Sequence, residues 1–198
     1  MERIIRSLML LYMGKVTLQS INKNLPGGAN MGGITQTVYV AYWDDVDTWP
    51  TEPDFSAGDV AMGAAGELTG NLTLKSTKQF FAIYLTDDTG EFKIDTVGEK
   101  DGKSFVKHLS FFHPGLGKEA LGFLNMAKNE NLVFIVPDNN GNLFLMGDAL
   151  RPATFEGSPD GAGTGKETAA RAGISTEFTY KTKNVYQYTG AVPLTPAV

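Results

Sequence analysis

The sequence contains no cysteine, which excludes both a disulfide framework and a thiolate metal site. It holds two histidines, His108 and His113, in 198 residues. That leaves little material for imidazole catalysis or metal ligation. No apolar run approaches the ~20 residues that a membrane-spanning helix needs, so no membrane partner is expected. Nor is there a run of lysine and arginine interleaved with aromatics. With a net charge of −5 the chain has no charge basis for holding nucleic acid through its phosphates. Internal repeats and low-complexity tracts are absent as well.

What remains is the composition of a globular chain, 42% apolar and 20% charged. Its 23 glycines suggest many turns and therefore many short strands. The length fits one domain over residues 15–190, with an arm at 1–14 and a tail at 191–198. The apolar run Leu8–Met13 in the arm is followed by Gly14-Lys15-Val16 and lacks the small-residue site of a secretory signal. A start at Met13 and an amphipathic arm that docks on a partner are both compatible with it.

Alternation and turn residues predict about nine strands. Lys15–Ser20 is a first short one, then a glycine-rich loop (22–34) leads to TQTVYVAYW (35–43), whose two faces both look covered. An acidic, proline-containing loop (44–59) follows. The segments ELTGNLTLK, QFFAIYLT, EFKIDTVG and KSFVKHLSFF then read as a meander separated by TDDTG and EKDG. In the last of these, Phe105, Lys107, Leu109 and Phe111 oppose Val106, His108, Ser110 and Phe112. GKEALGFLNMAKNEN (117–131) is the one helix, ending near 129, with Ala120, Leu121, Leu124 and Ala127 on its apolar face. Gly122 inside it suggests close packing on a sheet. A solidly apolar strand, Leu132–Val136, turns through PDNNG into NLFLMG, and GISTEFTYK and NVYQYTG close the chain. The fold class expected is mainly β: an antiparallel sandwich or barrel with one flanking helix at about 117–129.

The stretch EGSPDGAGTGKETAARAG (156–173) looks like a phosphate loop. A Walker A loop would need glycine where Asp160 stands and serine or threonine where Glu167 stands. The even spacing of Gly161, Gly163 and Gly165 also breaks the dinucleotide fingerprint. A glycine hairpin or interface loop is expected instead. His108 and His113 are five residues apart and so fall on opposite faces of one strand. Asp44, Asp45, Asp47, Glu52 and Asp54 share a loop, but it lacks the glycine and closing glutamate of a calcium loop. There is no nucleophile elbow. Trp43, Trp49, Tyr186 and Tyr188 could form an exposed sugar-binding platform, though nothing singles them out. The sequence thus nominates no catalytic, cofactor-binding or metal residue, and an enzyme is not expected.

The order of elements resembles the tail-tube proteins of long-tailed bacteriophages and of contractile injection machines. The resemblance is carried by GKSFVKHLSFFHPGLGKEALGFLNMAKNENLVFIVPDNNGNLFLMGD (102–148) and GTGKETAARAGISTEFTYKTKNVYQYTG (163–190). The second segment is similar to the end of tube-like virion proteins of phages that infect Bacteroidetes-type hosts. The resemblance implies a self-assembling virion protein made in the bacterial cytoplasm, with six copies in a ring and rings stacked into a conduit for DNA. Its partners would be further copies, other tail or connector proteins, and DNA in transit without specific binding. A head–tail joining or decoration protein, and a secreted or surface β-sandwich that binds glycans, are the alternatives.

Overall fold

The computed structural model describes residues 14–22, 30–56, 58–158 and 160–196. The arm before Gly14 and most of the glycine-rich segment at 22–29 lie outside the described residues. In chain order the first elements are β1 (Val16–Thr17), β2 (Thr37–Tyr42), β3 (Val46–Thr48), β4 (Val60–Ala61), the single turn α1 (Met62–Ala65), β5 (Glu67–Leu68) and β6 (Thr73–Leu74). Next come β7 (Phe81–Tyr84), β8 (Glu91–Val97), β9 (Ser104–Pro114) and helix α2 (Lys118–Ala127). The chain closes with β10 (Leu132–Pro137), β11 (Leu143–Met146), β12 (Thr154–Gly157), β13 (Ala162–Gly163), β14 (Gly173–Thr182) and β15 (Gln187–Tyr188).

These strands build the expected sandwich with its flanking helix. One sheet has the order β5-β15-β11-β10-β2-β7. It packs on a second sheet ordered β12-β14-β9-β8, in which β13 pairs with the start of β14. Central strand β10 is buried on both faces. Leu132, Phe134 and Val136 point into the space between the sheets, where Val38, Val40, Leu109, Phe111 and Phe178 meet them. Val133 and Ile135 point the other way, into a second core with Ala41, Leu72, Phe80 and Tyr188. Phe178 is the hub of the first core. Its ring lies 4.6 Å from Phe134, 5.4 Å from Phe155, 6.1 Å from Phe111 and 6.2 Å from Phe123, centroid to centroid.

Several expectations are corrected. The four-strand meander does not exist, because β7 joins β2 in the first sheet while β8 pairs with β9 in the second. TDDTG is therefore a crossing between sheets, and EKDG is a true hairpin. ELTGNLTLK is likewise two strands, broken at Gly70, whose φ of 86° takes the chain out of the extended region. The predicted first strand shortens to Val16–Thr17, and NVYQYTG to Gln187–Tyr188. The helix face is rotated slightly: Ala127 is buried and Ala120 and Leu124 half-buried as expected, Phe123 and Met126 join them on the core, and Leu121 is exposed.

Gly122 does not sit against a sheet, since a Cβ built there meets nothing within 4 Å. Gly173 is the position where a close approach does require glycine: a Cβ would stand 2.3 Å from the His113 carbonyl oxygen, where β14 passes the end of β9.

Two measurements follow from this packing. Gly122→Ala should stabilise the protein by up to about 1 kcal/mol through helix propensity. That raises the calorimetric melting temperature by ~2–4 °C for a chain of this size. Phe178→Ala should cost about 3–5 kcal/mol in denaturant unfolding, the penalty of an emptied aromatic site in a close-packed core.

Candidate functional site

Strand parity explains the most unusual side chain in the molecule. Lys107 lies on the same face of β9 as Leu109 and Phe111, so the strand carries it between the sheets, where it is 2% exposed. Its Nζ donates to the Leu145 carbonyl on β11 at 3.0 Å and lies 5.6 Å from the centre of the Tyr180 ring. Asp148, beyond the end of β11, completes the group. One carboxylate oxygen accepts from the Tyr180 hydroxyl at 2.6 Å. The other accepts from the backbone N–H groups of Leu150 and Arg151 at 2.7 and 2.8 Å. The Asp148 carbonyl in turn accepts from Trp43 Nε1 at 2.7 Å. Across the opening, Tyr186 donates to Glu52 at 3.2 Å.

Lys107, Asp148, Tyr180, Tyr186 and Glu52 line a cavity of about 110 Å³ together with Trp49 and Leu68. Burial drives the Lys107 ammonium down to about 8, against the opposing pull of Asp148. Burial raises the Tyr180 phenol well above its ordinary value, and its bond to Asp148 raises it further. Tyr186 is pushed up to about 12 by burial and then by the Glu52 carboxylate. A lowered lysine is the starting point for amine nucleophilic chemistry. Here the amine faces a backbone carbonyl and an aromatic ring, at 2% exposure, in a space below the ~300 Å³ of ordinary small-molecule sites. The arrangement ties β9, β11 and β14 together. Sequence reasoning passed over Lys107, although its position among Phe105, Leu109 and Phe111 was a readable signal.

The residues weighed in the sequence do not converge. His108 stands on the outer face of the second sheet, 3.1 Å from Glu177 and 3.6 Å from Asp95, which also pairs with Lys93 at 2.8 Å. His113 has the opposite parity, and its Nδ1 donates to the Tyr84 carbonyl at 2.8 Å. The acidic loop disperses. Asp45 pairs with Lys78 at 3.1 Å, Asp54 accepts from the Ser56 N–H at 2.8 Å, and Glu52 turns to Tyr186. Among the described residues no group of three or more histidine and acidic side chains is placed to hold a metal ion.

The supposed sugar platform is not a surface. Tyr188 and Tyr186 are buried in the second core, and Trp43 and Trp49 are half-buried, with ring centroids 6.4 Å apart. The stretch around Lys166 is an exposed excursion between β13 and β14, with no helix after it to present backbone N–H groups to a phosphate. Strand β14 itself is interior, flanked by β12 and β9, and is not an edge.

No protein-family model matches the sequence, and neither the curated proteins nor the solved structures contain a match.

The depressed lysine makes a pH prediction. A folded-state value near 8 against an ordinary 10.5 means that the unfolded chain binds more protons between those limits. Stability should therefore rise with pH from about 8, with a slope of at most ~1.4 kcal/mol per pH unit. The raised tyrosines lose their stabilising contribution as pH climbs past their ordinary value of 10, so the clean window is pH 7.5–9.5. Urea titrations of the wild type should show this rise, and Lys107→Met should abolish it whatever its own net stability.

Proposed function

We propose that the chain is a structural virion protein that assembles through its sheet edges into rings, and that the rings stack into a tail tube through which DNA passes. The observation that carries this reading is the edge strand β7. Natural sheets guard exposed edges with charge, proline or bulges. Strand β8, the edge of the second sheet, is guarded in this way by Glu91, Lys93 and Asp95. β7 reads Phe-Ala-Ile-Tyr, carries no charge, and leaves Phe81 60% and Tyr84 50% exposed. Leu18 and Ile21 are exposed further still. Apolar surface of this kind marks an interaction site.

A tube wall needs no catalytic centre, and a net charge of −5 would let DNA slide past it without adhering. The sequence resemblance points to six copies in a ring. A head–tail joining protein would use the same edges without stacking.

Negative-stain microscopy and analytical ultracentrifugation across a concentration series decide the matter. Rings that stack into tubes are the expected result. Single rings would indicate a joining role, and a monomer at every concentration would overturn the proposal.

A further inference from the structure

An apolar groove of about 370 Å³ opens between β7 and α2, lined by Ile83, Tyr84, Phe111, Phe123 and Ile174 among others. Among the described lining residues, Glu119 is the one formally charged side chain. The open edge of β7 runs beside it. Leu85 N–H turns back to Gln36 at 3.0 Å, so by strand alternation the N–H groups of residues 80, 82, 84 and 86 point outward. The chain itself takes the two end ones: Phe80 donates to Pro193 at 2.9 Å and Thr86 to Phe112 at 3.0 Å. Between them Ala82 and Tyr84 face away from β2, and no strand among the described residues pairs with that side. The Tyr84 carbonyl there already accepts from His113 Nδ1 at 2.8 Å, which leaves the Ala82 N–H and carbonyl and the Tyr84 N–H for an incoming strand. A short free edge therefore adjoins an apolar pocket, which is the combination that receives an extended segment.

The same chain carries a fitting segment. Its root is pinned: Gly14 N–H donates to Phe55 at 2.8 Å, Lys15 N–H to Asp59 at 2.8 Å, and Val60 N–H to Lys15 at 2.9 Å. Just beyond the root, Leu18 is 85% and Ile21 87% exposed. β1 lies against β4 and α1, next to β5, and so at the far edge of the six-stranded sheet from β7. Five strand spacings separate those edges, roughly 24 Å. The four residues from Thr17 to Ile21 span about 14 Å at full extension. Residues 18–21 therefore fall short of the groove of their own chain.

We propose that Leu18 and Ile21 of one copy seat in the β7–α2 groove of the next, with the backbone of this segment bonding to Ala82 and to the Tyr84 N–H. Lys15 on the arm and Glu119 on the groove supply opposite charges. Donor and acceptor lie at opposite edges of one sheet, so the contact is head-to-tail, the type that closes into a ring or runs on as a filament. The inference rests on the assembly reading above and names the surfaces that perform it.

Because the chain has no cysteine, single-cysteine variants report the contact directly. Ile21→Cys and Tyr84→Cys proteins are mixed and oxidised, with Lys100→Cys in the exposed β8–β9 hairpin as the control partner. The mixed Ile21–Tyr84 cross-link should exceed both homodimers and the control by at least about fivefold. Leu18→Asp should weaken association about tenfold or more, since each 1.4 kcal/mol of lost apolar burial is a factor of ten. It should leave the monomer's melting temperature unchanged. Dominant homodimers, or a mixed yield equal to the control, would overturn this interface. Wild-type rings without the mixed cross-link would leave the assembly proposal standing and sink this one. A mixed cross-link without rings would do the reverse.

Discussion

Everything in the molecule is arranged around a strand with no solvent-facing side. Antiparallel sheets ordinarily bury one face and wet the other. In β10 the five residues Leu132–Val136 are all at or below 1% exposure. Both faces of its sheet must therefore be covered, by different means. The first cover is the second sheet, held by the aromatic contacts around Phe178. The second is improvised from short pieces: Val46 of β3, Leu74 of β6, Leu72 and Phe80 beside them, and the side chains of Tyr186 and Tyr188. The Tyr188 hydroxyl shows how these pieces are held without long ladders, accepting from Leu72 N–H and donating to the Ala191 carbonyl, both at 2.9 Å.

The same inward pressure accounts for Lys107. A strand that places Leu109 and Phe111 between the sheets places the residue two before them there too, whatever its charge. The cost of desolvating an ammonium is offset by a carbonyl, a ring face and the nearby Asp148, and part of it remains as the lowered proton affinity. Asp148 also anchors the turn from β11 into β12 and one tryptophan indole. This polar group is a joint between sheets, and its cavity is the space left where a joint and a core meet.

How much of this was legible follows the range of the forces involved. Local alternation marked β9 and β14, a short continuous apolar run marked β10, and turn residues marked the EKDG hairpin, because each is decided by neighbours in sequence. Alternation also told which face of β9 each residue takes, and it held the unused clue to Lys107. The change of sheet between Tyr84 and Glu91 was not legible. Its cause is the competition of β2 for β7, a pairing made across more than forty residues. The helix face was legible in Ala127 and missed at one turn for a related reason: Leu121 fits the periodicity, but Phe123 is the side chain that reaches Phe178. Gly122 shows the limit of explaining a residue by assumed packing, since nothing packs there.

The two unprotected features are best understood together with the core they leave undisturbed. Leu18 and Ile21 contribute little to the stability of the isolated chain at their exposures, and neither do Phe81 and Tyr84. A chain that buries β10 twice over has no need of these side chains for folding. The guarded edge β8 makes the contrast within one protein: charge closes one edge of the sandwich, while the uncharged β7, with a groove beside it, remains open. In the assembly proposed above, asymmetry of that kind would direct growth. A subunit with one receiving edge and one apolar segment at the far side of the same sheet would favour ordered addition over indiscriminate sheet fusion.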